Sequence, residues 1–246
     1  GDDLRFMDWK VAARADKWLI KQYEEETNLR CTIVLDVSRS MDWASADHLL
    51  TKLRYAEQVT AALSLLLLRQ RDAVGLIRFD DQVRSAMSPA SRQVQFSRLV
   101  SMLTEEGGGQ GSDAAGALRQ AATLVKRRGM VVLISDLLLE GDEVEDAVRV
   151  LRAQGHDVIV LHILDPAERS FDLASGEALF VDPEGGDSLA ATPSEVREAY
   201  AATVREAMDE WRARCAASGA VYETVLTSEP FGVPLRKAFA RRQRQP

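Results

Sequence analysis

Cys31-Thr32-Ile33-Val34-Leu35-Asp36-Val37-Ser38-Arg39-Ser40-Met41-Asp42 is the stretch from which the rest of the chain can be read. From Cys31 to Leu35 every residue is apolar or β-branched, with no polar alternation. Such an uninterrupted run fits a parallel strand covered on both faces, whereas a half-exposed strand alternates. The run stops at Asp36, and Ser38 and Ser40 follow at every second position. The predicted strand therefore delivers a carboxylate and two hydroxyls to the carboxyl edge of a sheet, where open α/β sheets bind ligands. One carboxylate and two hydroxyls, with no His or Cys beside them, suit Mg²⁺ or Mn²⁺ rather than Zn²⁺. The competing reading is a strand-to-helix turn in which both serines satisfy local backbone donors.

Two downstream segments tip that balance. Met130 to Ser135 is a second fully apolar strand, and it too ends on a carboxylate, Asp136. Parallel strands end on one edge, so Asp36 and Asp136 are expected to face a common cation. Between them Gly107-Gly108-Gly109-Gln110-Gly111-Ser112-Asp113 breaks all periodicity ahead of a helix through Ala117, Leu118, Ala121 and Val125. This is no P-loop, because the Lys that must follow the glycines is missing. Ser112 suits a helix N-cap, a role compatible with lending a lone pair to a cation. The expected metal-site residues are thus Asp36, Ser38, Ser40, Ser112 and Asp136.

The remaining pattern supplies the frame. Leu53, Ala56, Thr60, Leu63 and Leu67 follow helical spacing, with Val59, Ala62 and Leu66 widening the stripe. Ala73 to Phe79 reads as a strand, with Gln82 to Met87 as a short partner beyond an Asp80-Asp81 turn. Phe96, Leu99, Val100 and Leu103 mark a further helix. Val144, Ala147, Val148 and Leu151 mark another, stopped by Gly155 before the strand Asp157 to Leu164. His162 inside that strand is expected to be a core imidazole, and Asp165 at its end is a weaker candidate for the same edge. Phe171 to Val181, with Ser175-Gly176 as its turn, reads as a hairpin. Thr192-Pro193-Ser194-Glu195 starts a helix whose buried face is expected at Val196, Tyr200, Thr203, Ala207 and Trp211. Val221 to Thr227 is a last strand, and a short basic helix follows.

This order predicts an α/β fold: a doubly wound, mostly parallel sheet with helices on both faces and a small hairpin insertion. The expected division is an N-terminal extension over 1–30, a main domain over 31–228 with the insertion at 167–192, and the basic helix at 229–246. In the extension, Trp18 to Tyr23 is expected to be extended and Glu24 to Glu26 solvated. With 246 residues, 46% of them apolar, the chain can bury one sizeable core. A formal net charge of −7 argues against nucleic acid as a partner. Cys31 and Cys215 offer neither metal spacing nor a disulfide framework and are expected to be buried thiols. The apolar run from Ala61 to Leu68 is far short of the ~20 residues a membrane span requires.

The motif Asp36, Ser38, Ser40, with a hydroxyl at Ser112 and with Asp136 after a later strand, resembles the von Willebrand factor A domain and its metal-ion-dependent adhesion site. Gly1-Asp2-Asp3, Asp8-Trp9-Lys10, Glu24-Glu25-Glu26-Thr27 and Ile134-Ser135-Asp136-Leu137 are similar to the bacterial family of unknown function encoded beside MoxR-type AAA+ ATPases. The resemblance implies a Mg²⁺-binding interaction module in which Ser38, Ser40 and the second-loop hydroxyl touch the ion, while the two carboxylates act largely through waters. A partner's exposed Asp or Glu then completes the coordination, with a MoxR-type ATPase as the implied partner. The second-loop residue is usually Thr in such domains and is Ser112 here, so the hydroxyl is kept without the methyl that restricts its rotamer.

Three functions compete. The first is the non-enzymatic Mg²⁺-dependent module, expected in the cytoplasm or tethered to a membrane by an anchor upstream of Gly1. The second is a Mg²⁺-dependent hydrolase or phosphoryl-transfer enzyme using the same carboxylates. No Walker motif and no D-x-D supports it, and a Ser40–His48 pair lacks the G-x-S-x-G elbow. The third is a structural domain with a degenerate metal site.

Overall fold

The structure is a computed structural model that describes residues 29–105, 114–138, 141–170, 178–181, 188–191 and 193–242. β1 (Arg30–Asp36) leads through a single 3₁₀ turn (Arg39–Met41) to α1 (Lys52–Arg69), β2 (Ala73–Phe79), β3 (Val83–Ala90) and α2 (Val94–Leu103). The chain continues with α3 (Ala114–Leu124), β4 (Met130–Ser135), α4 (Gly141–Ala153), β5 (Asp157–Leu164) and the short α5 (Pro166–Ser170). β6 (Ala178–Val181), β7 (Ser188–Ala191), α6 (Pro193–Ala217), β8 (Val221–Leu226) and α7 (Gly232–Arg242) complete it.

Six strands form one sheet in the order β3-β2-β1-β4-β5-β8. β1 pairs in parallel with β2 and β4, β4 with β5, and β5 with β8, while only the edge strand β3 runs antiparallel. This is the expected doubly wound α/β sheet. Alternation within the apolar runs feeds both faces. Cys31, Ile33, Leu35, Met130, Val132 and Ile134 pack under α1, α2 and α7. Val34, Val131 and Leu133 pack against α3, α4 and Cys215 of α6. Both cysteines are buried and free, and burial pushes each thiol up to about 12.

The topology fixes where a site can form. From β1 the chain passes through α1 to β2 on one side, and from β4 it passes through α4 to β5 on the other. The crevice at the carboxyl ends of β1 and β4 is therefore a topological switch point, where neighbouring loops part and leave room for a ligand.

Several expectations need correction. Leu66 is exposed, because the buried stripe of α1 is centred on Tyr55, Val59, Leu63 and Leu67. Val100 of α2 is exposed too, and Gln95 takes an inward position, donating to the carbonyls of Val74 and Ser88. On α6, Tyr200 and Trp211 are partly covered as expected, but Thr203 and Ala207 are exposed, and Val204 and Met208, one residue further on, take their places on the covered face that ends at the buried Cys215. The hairpin pairs Ala178–Val181 with Ser188–Ala191, later than expected. Its connection holds the turn formers Pro183, Gly185 and Gly186. The alternative turn at Ser175-Gly176, the N-terminal motifs and Ser112 lie outside the described residues. The basic end of α7 is explained within the chain: Arg241 pairs with Glu223 and Arg242 with Asp157. Among the described residues, no helix is long and apolar enough to cross a membrane.

Candidate functional site

The register of the two central strands builds the site. Leu35 pairs with Ile134, so the next step along both strands sets Asp36 beside Ser135. The Ser135 hydroxyl donates to Asp36 Oδ2 at 2.6 Å, and Asp36 Oδ1 accepts from the Ser38 amide at 2.9 Å. The Leu137 amide in turn donates to Ser135 Oγ at 2.9 Å. Leu137 has φ of 54°, a left-handed conformation that is uncommon for a bulky side chain and that clusters at functional sites. This kink turns the chain immediately after Asp136.

The first loop folds over the end of β1. Val37 donates its amide to the Phe79 carbonyl of β2 at 2.8 Å, and the 3₁₀ turn after Ser38 brings Ser40 back. The Ser38 and Ser40 hydroxyls share a hydrogen bond of 3.0 Å, and both residues are buried. Two adjacent hydroxyls beside a fully buried carboxylate form a hard-oxygen cluster.

Asp36 and Asp136 interact electrostatically. Burial, and then the charge of Asp136, push the Asp36 carboxyl up to about 6 against the pull of its hydrogen bonds from Ser135 and Ser38. A buried pair of like charges calls for a cation.

One cation is supplied by the chain, and sequence reading missed it. Lys52, the first residue of α1, is 1% exposed. Its ammonium donates to Asp136 Oδ2 at 2.8 Å and to Glu168 Oε1 of α5 at 2.5 Å. Burial alone would depress its pKa, but the charges of Asp136 and Glu168 outweigh that and hold it above its ordinary range. A cation at a helix N-terminus also opposes the macrodipole, so nothing local favours Lys at this position. That conflict is the signal the sequence offered. Its ammonium sits 5.9 Å from the Trp43 ring centroid, and its amide donates to the Trp43 carbonyl.

Asp80 and Asp165, at the ends of β2 and β5, are equally buried. Asp80 takes two hydrogen bonds from Arg84 and one from the Gln82 amide. Asp165 accepts from the Ala167 amide and, across the rim, from the Ser45 amide at 3.0 Å. Asp165 therefore pins the first loop to the end of β5, a structural role at the edge where the sequence put it. His162 is a core imidazole as expected: it shares a 2.6 Å hydrogen bond with the Tyr222 hydroxyl, and burial holds its pKa down at about 4. His48 is exposed, and the Ser40 hydroxyl is engaged with Ser38.

In kind, the Asp36 carboxylate and the Ser38 and Ser40 hydroxyls are donors that a hard divalent cation accepts, and Asp136 adds a carboxylate already paired with Lys52. Among the described residues no group of three or more His, Cys, Asp or Glu side chains could hold a metal, so any cation here depends on the hydroxyls. The rim also carries apolar surface on its two flanking loops, with Trp43 39% and Leu138 62% exposed.

The family described as "Protein of unknown function DUF58" matches residues 1–210. The uncharacterised protein Rv1480 of Mycobacterium tuberculosis is 30% identical over 190 residues, which are 76% of this chain and 58% of that protein. The match thus spans little more than half the relative's length. BatB of Bacteroides thetaiotaomicron superposes with a TM-score of 0.54 at 16% identity, over 87% of this chain and 98% of that one. An aerotolerance-related membrane protein of Bacteroides fragilis gives a TM-score of 0.53, also at 16% identity and with the same coverage. At these identities the two structures establish the shared fold.

Proposed function

The chain belongs to the DUF58 family, and from that premise we propose that it is a protein-interaction module whose switch-point rim binds a partner's acidic side chain through Mg²⁺ or Mn²⁺. Asp36, Ser38, Ser40, Ser112 and Asp136 hold the ion, and a carboxylate on the partner completes its coordination. A MoxR-type AAA+ ATPase is the partner implied by the sequence resemblance. The module does its work by binding, without turning over a substrate.

The observation that carries the reading is the pairing at the switch point of two buried, mutually repelling carboxylates with a pair of buried hydroxyls 3.0 Å apart. Hydroxyls are weak neutral donors, so an ion held by them keeps much of its charge for an incoming anion. The exposed Trp43 and Leu138 flank that position and supply the apolar contact area that a single carboxylate–metal bond lacks.

Calorimetry with Mg²⁺ tests the ion. Wild type is expected to bind, and Asp36→Ala to give no heat above dilution; equal heats would contradict the reading. Capture of a MoxR-type ATPase that is lost in EDTA and restored by excess Mg²⁺ tests the partner. Leu138→Ala is expected to weaken capture while leaving the Mg²⁺ heat unchanged. Phosphoester turnover abolished by Asp136→Ala would instead favour an enzyme.

A further inference from the structure

Lys52 stands out because the cation reading does not use it. A fully buried lysine at a helix N-terminus is costly on two counts, desolvation and the macrodipole. It is held between two carboxylates from different elements: Asp136 at the end of β4 and Glu168 on α5. Glu168 is itself fixed from its other oxygen, which accepts the Asp165 amide at 2.9 Å. The ammonium can therefore give up one carboxylate and still keep the other.

We propose that Lys52 is a built-in competitor for the divalent cation: it neutralises Asp136 when the ion is absent and rests on Glu168 when the ion is bound. The inference rests on the cation reading above and adds a control to it. Lys52 lowers cation affinity by occupying Asp136 Oδ2. Glu168 restores part of that affinity, because it offers the ammonium an alternative counter-charge already within 2.5 Å. The pairing also links the rim to α5 and, through Asp165 and Ser45, to the first loop. An ion held this way is released readily, as a reversible docking contact requires.

The two carboxylate partners make the test distinctive, because the two variants should move affinity in opposite directions. Mg²⁺ is titrated calorimetrically into wild type, Lys52→Met and Glu168→Gln, with circular dichroism to check folding. Lys52→Met leaves Asp136 free for the ion and is expected to bind Mg²⁺ about tenfold more tightly, the scale of removing one close, poorly screened positive charge. Glu168→Gln keeps the shape but removes the alternative counter-charge, so Lys52 stays on Asp136 and Mg²⁺ binds several-fold more weakly.

If wild type binds and Lys52→Met binds equally or more weakly, Lys52 is an ordinary structural ion pair and the inference is overturned while the cation reading stands. If none of the three proteins gives heat, the cation reading fails and takes the inference with it. Should Lys52→Met fail to fold, Glu168→Gln decides: weaker binding supports competition, and unchanged or tighter binding overturns it.

Discussion

Asp36 is a fully buried carboxyl pushed up by burial and by Asp136, and its protonation has a measurable sign. The native state holds this proton up to a pH of about 6, whereas an unfolded Asp releases it near 3.8. Between those values the folded form binds more protons, so its contribution to stability falls as pH rises through the window and stays low above it. In metal-free buffer Asp36→Asn should remove that fall. It should leave the variant more stable than wild type at neutral pH by roughly 1–3 kcal/mol, the free energy of holding this carboxyl at about 6 rather than 3.8. Urea melts of both proteins from pH 4 to pH 8 check this. A variant less stable than wild type at neutral pH would show that the Asp36 hydrogen bonds outweigh its burial. Lys52 is the opposite case. Replacing it leaves the buried Asp136 and the partly exposed Glu168 without their counter-charge, and the cost is expected to be about 3 kcal/mol in metal-free buffer. Mg²⁺ should recover part of that loss in a thermal melt. Asp36 and Asp136 were legible in the sequence because each ends an apolar run. Lys52 was not, because its partners lie 84 and 116 residues away and helical spacing drew attention to Leu53 beside it.

The strands and helices were legible to the degree that one period dominated each segment. β1, β4 and β5 are apolar throughout, and their ends were placed within about a residue. Errors fell where two phases were nearly equivalent. In α6 the face through Thr203 and Ala207 and the face through Val204 and Met208 are both helical stripes, and the second is the one partly covered, while Trp211 and Cys215 further along join the cluster of β8 and α4. In the hairpin two turn signals compete within a dozen residues, and pairing selects the later one. The close approach of β4 to β1 was invisible in the sequence, although it sets the spacing of the two carboxylates. Gly129 lies just before β4, and a Cβ there would come within 2.3 Å of the Arg30 carbonyl oxygen. Gly129→Ala must therefore push backbone against backbone. The expected loss is about 1–3 kcal/mol, the range for a methyl forced into a filled space. A drop in the urea midpoint with an unchanged slope checks it; an unchanged midpoint would mean that the strands part without strain.

At the scale of the whole molecule, the position of the site follows from strand order. A parallel sheet that reverses its winding between β1 and β4 leaves one gap in its loops. The sequence filled that gap with Asp36, Ser38, Ser40 and Asp136, together with a lysine and apolar residues on its rim. The sequence could place both carboxylates on one edge, since parallel strands end together. It could not say which strands are neighbours, because crossover helices of similar length are compatible with several orders. Ser112 rests on the sequence alone, on the loop ahead of a helix and on the family resemblance, since it lies outside the described residues. The central claim is that the gap holds a divalent ion, and Mn²⁺ soaked into crystals of the chain tests it most directly. The account predicts an anomalous density peak between Asp36, Ser38, Ser40 and Asp136, with the Lys52 ammonium withdrawn toward Glu168. Crystals saturated with Mn²⁺ that show no anomalous peak there, with Lys52 still on Asp136, would contradict it.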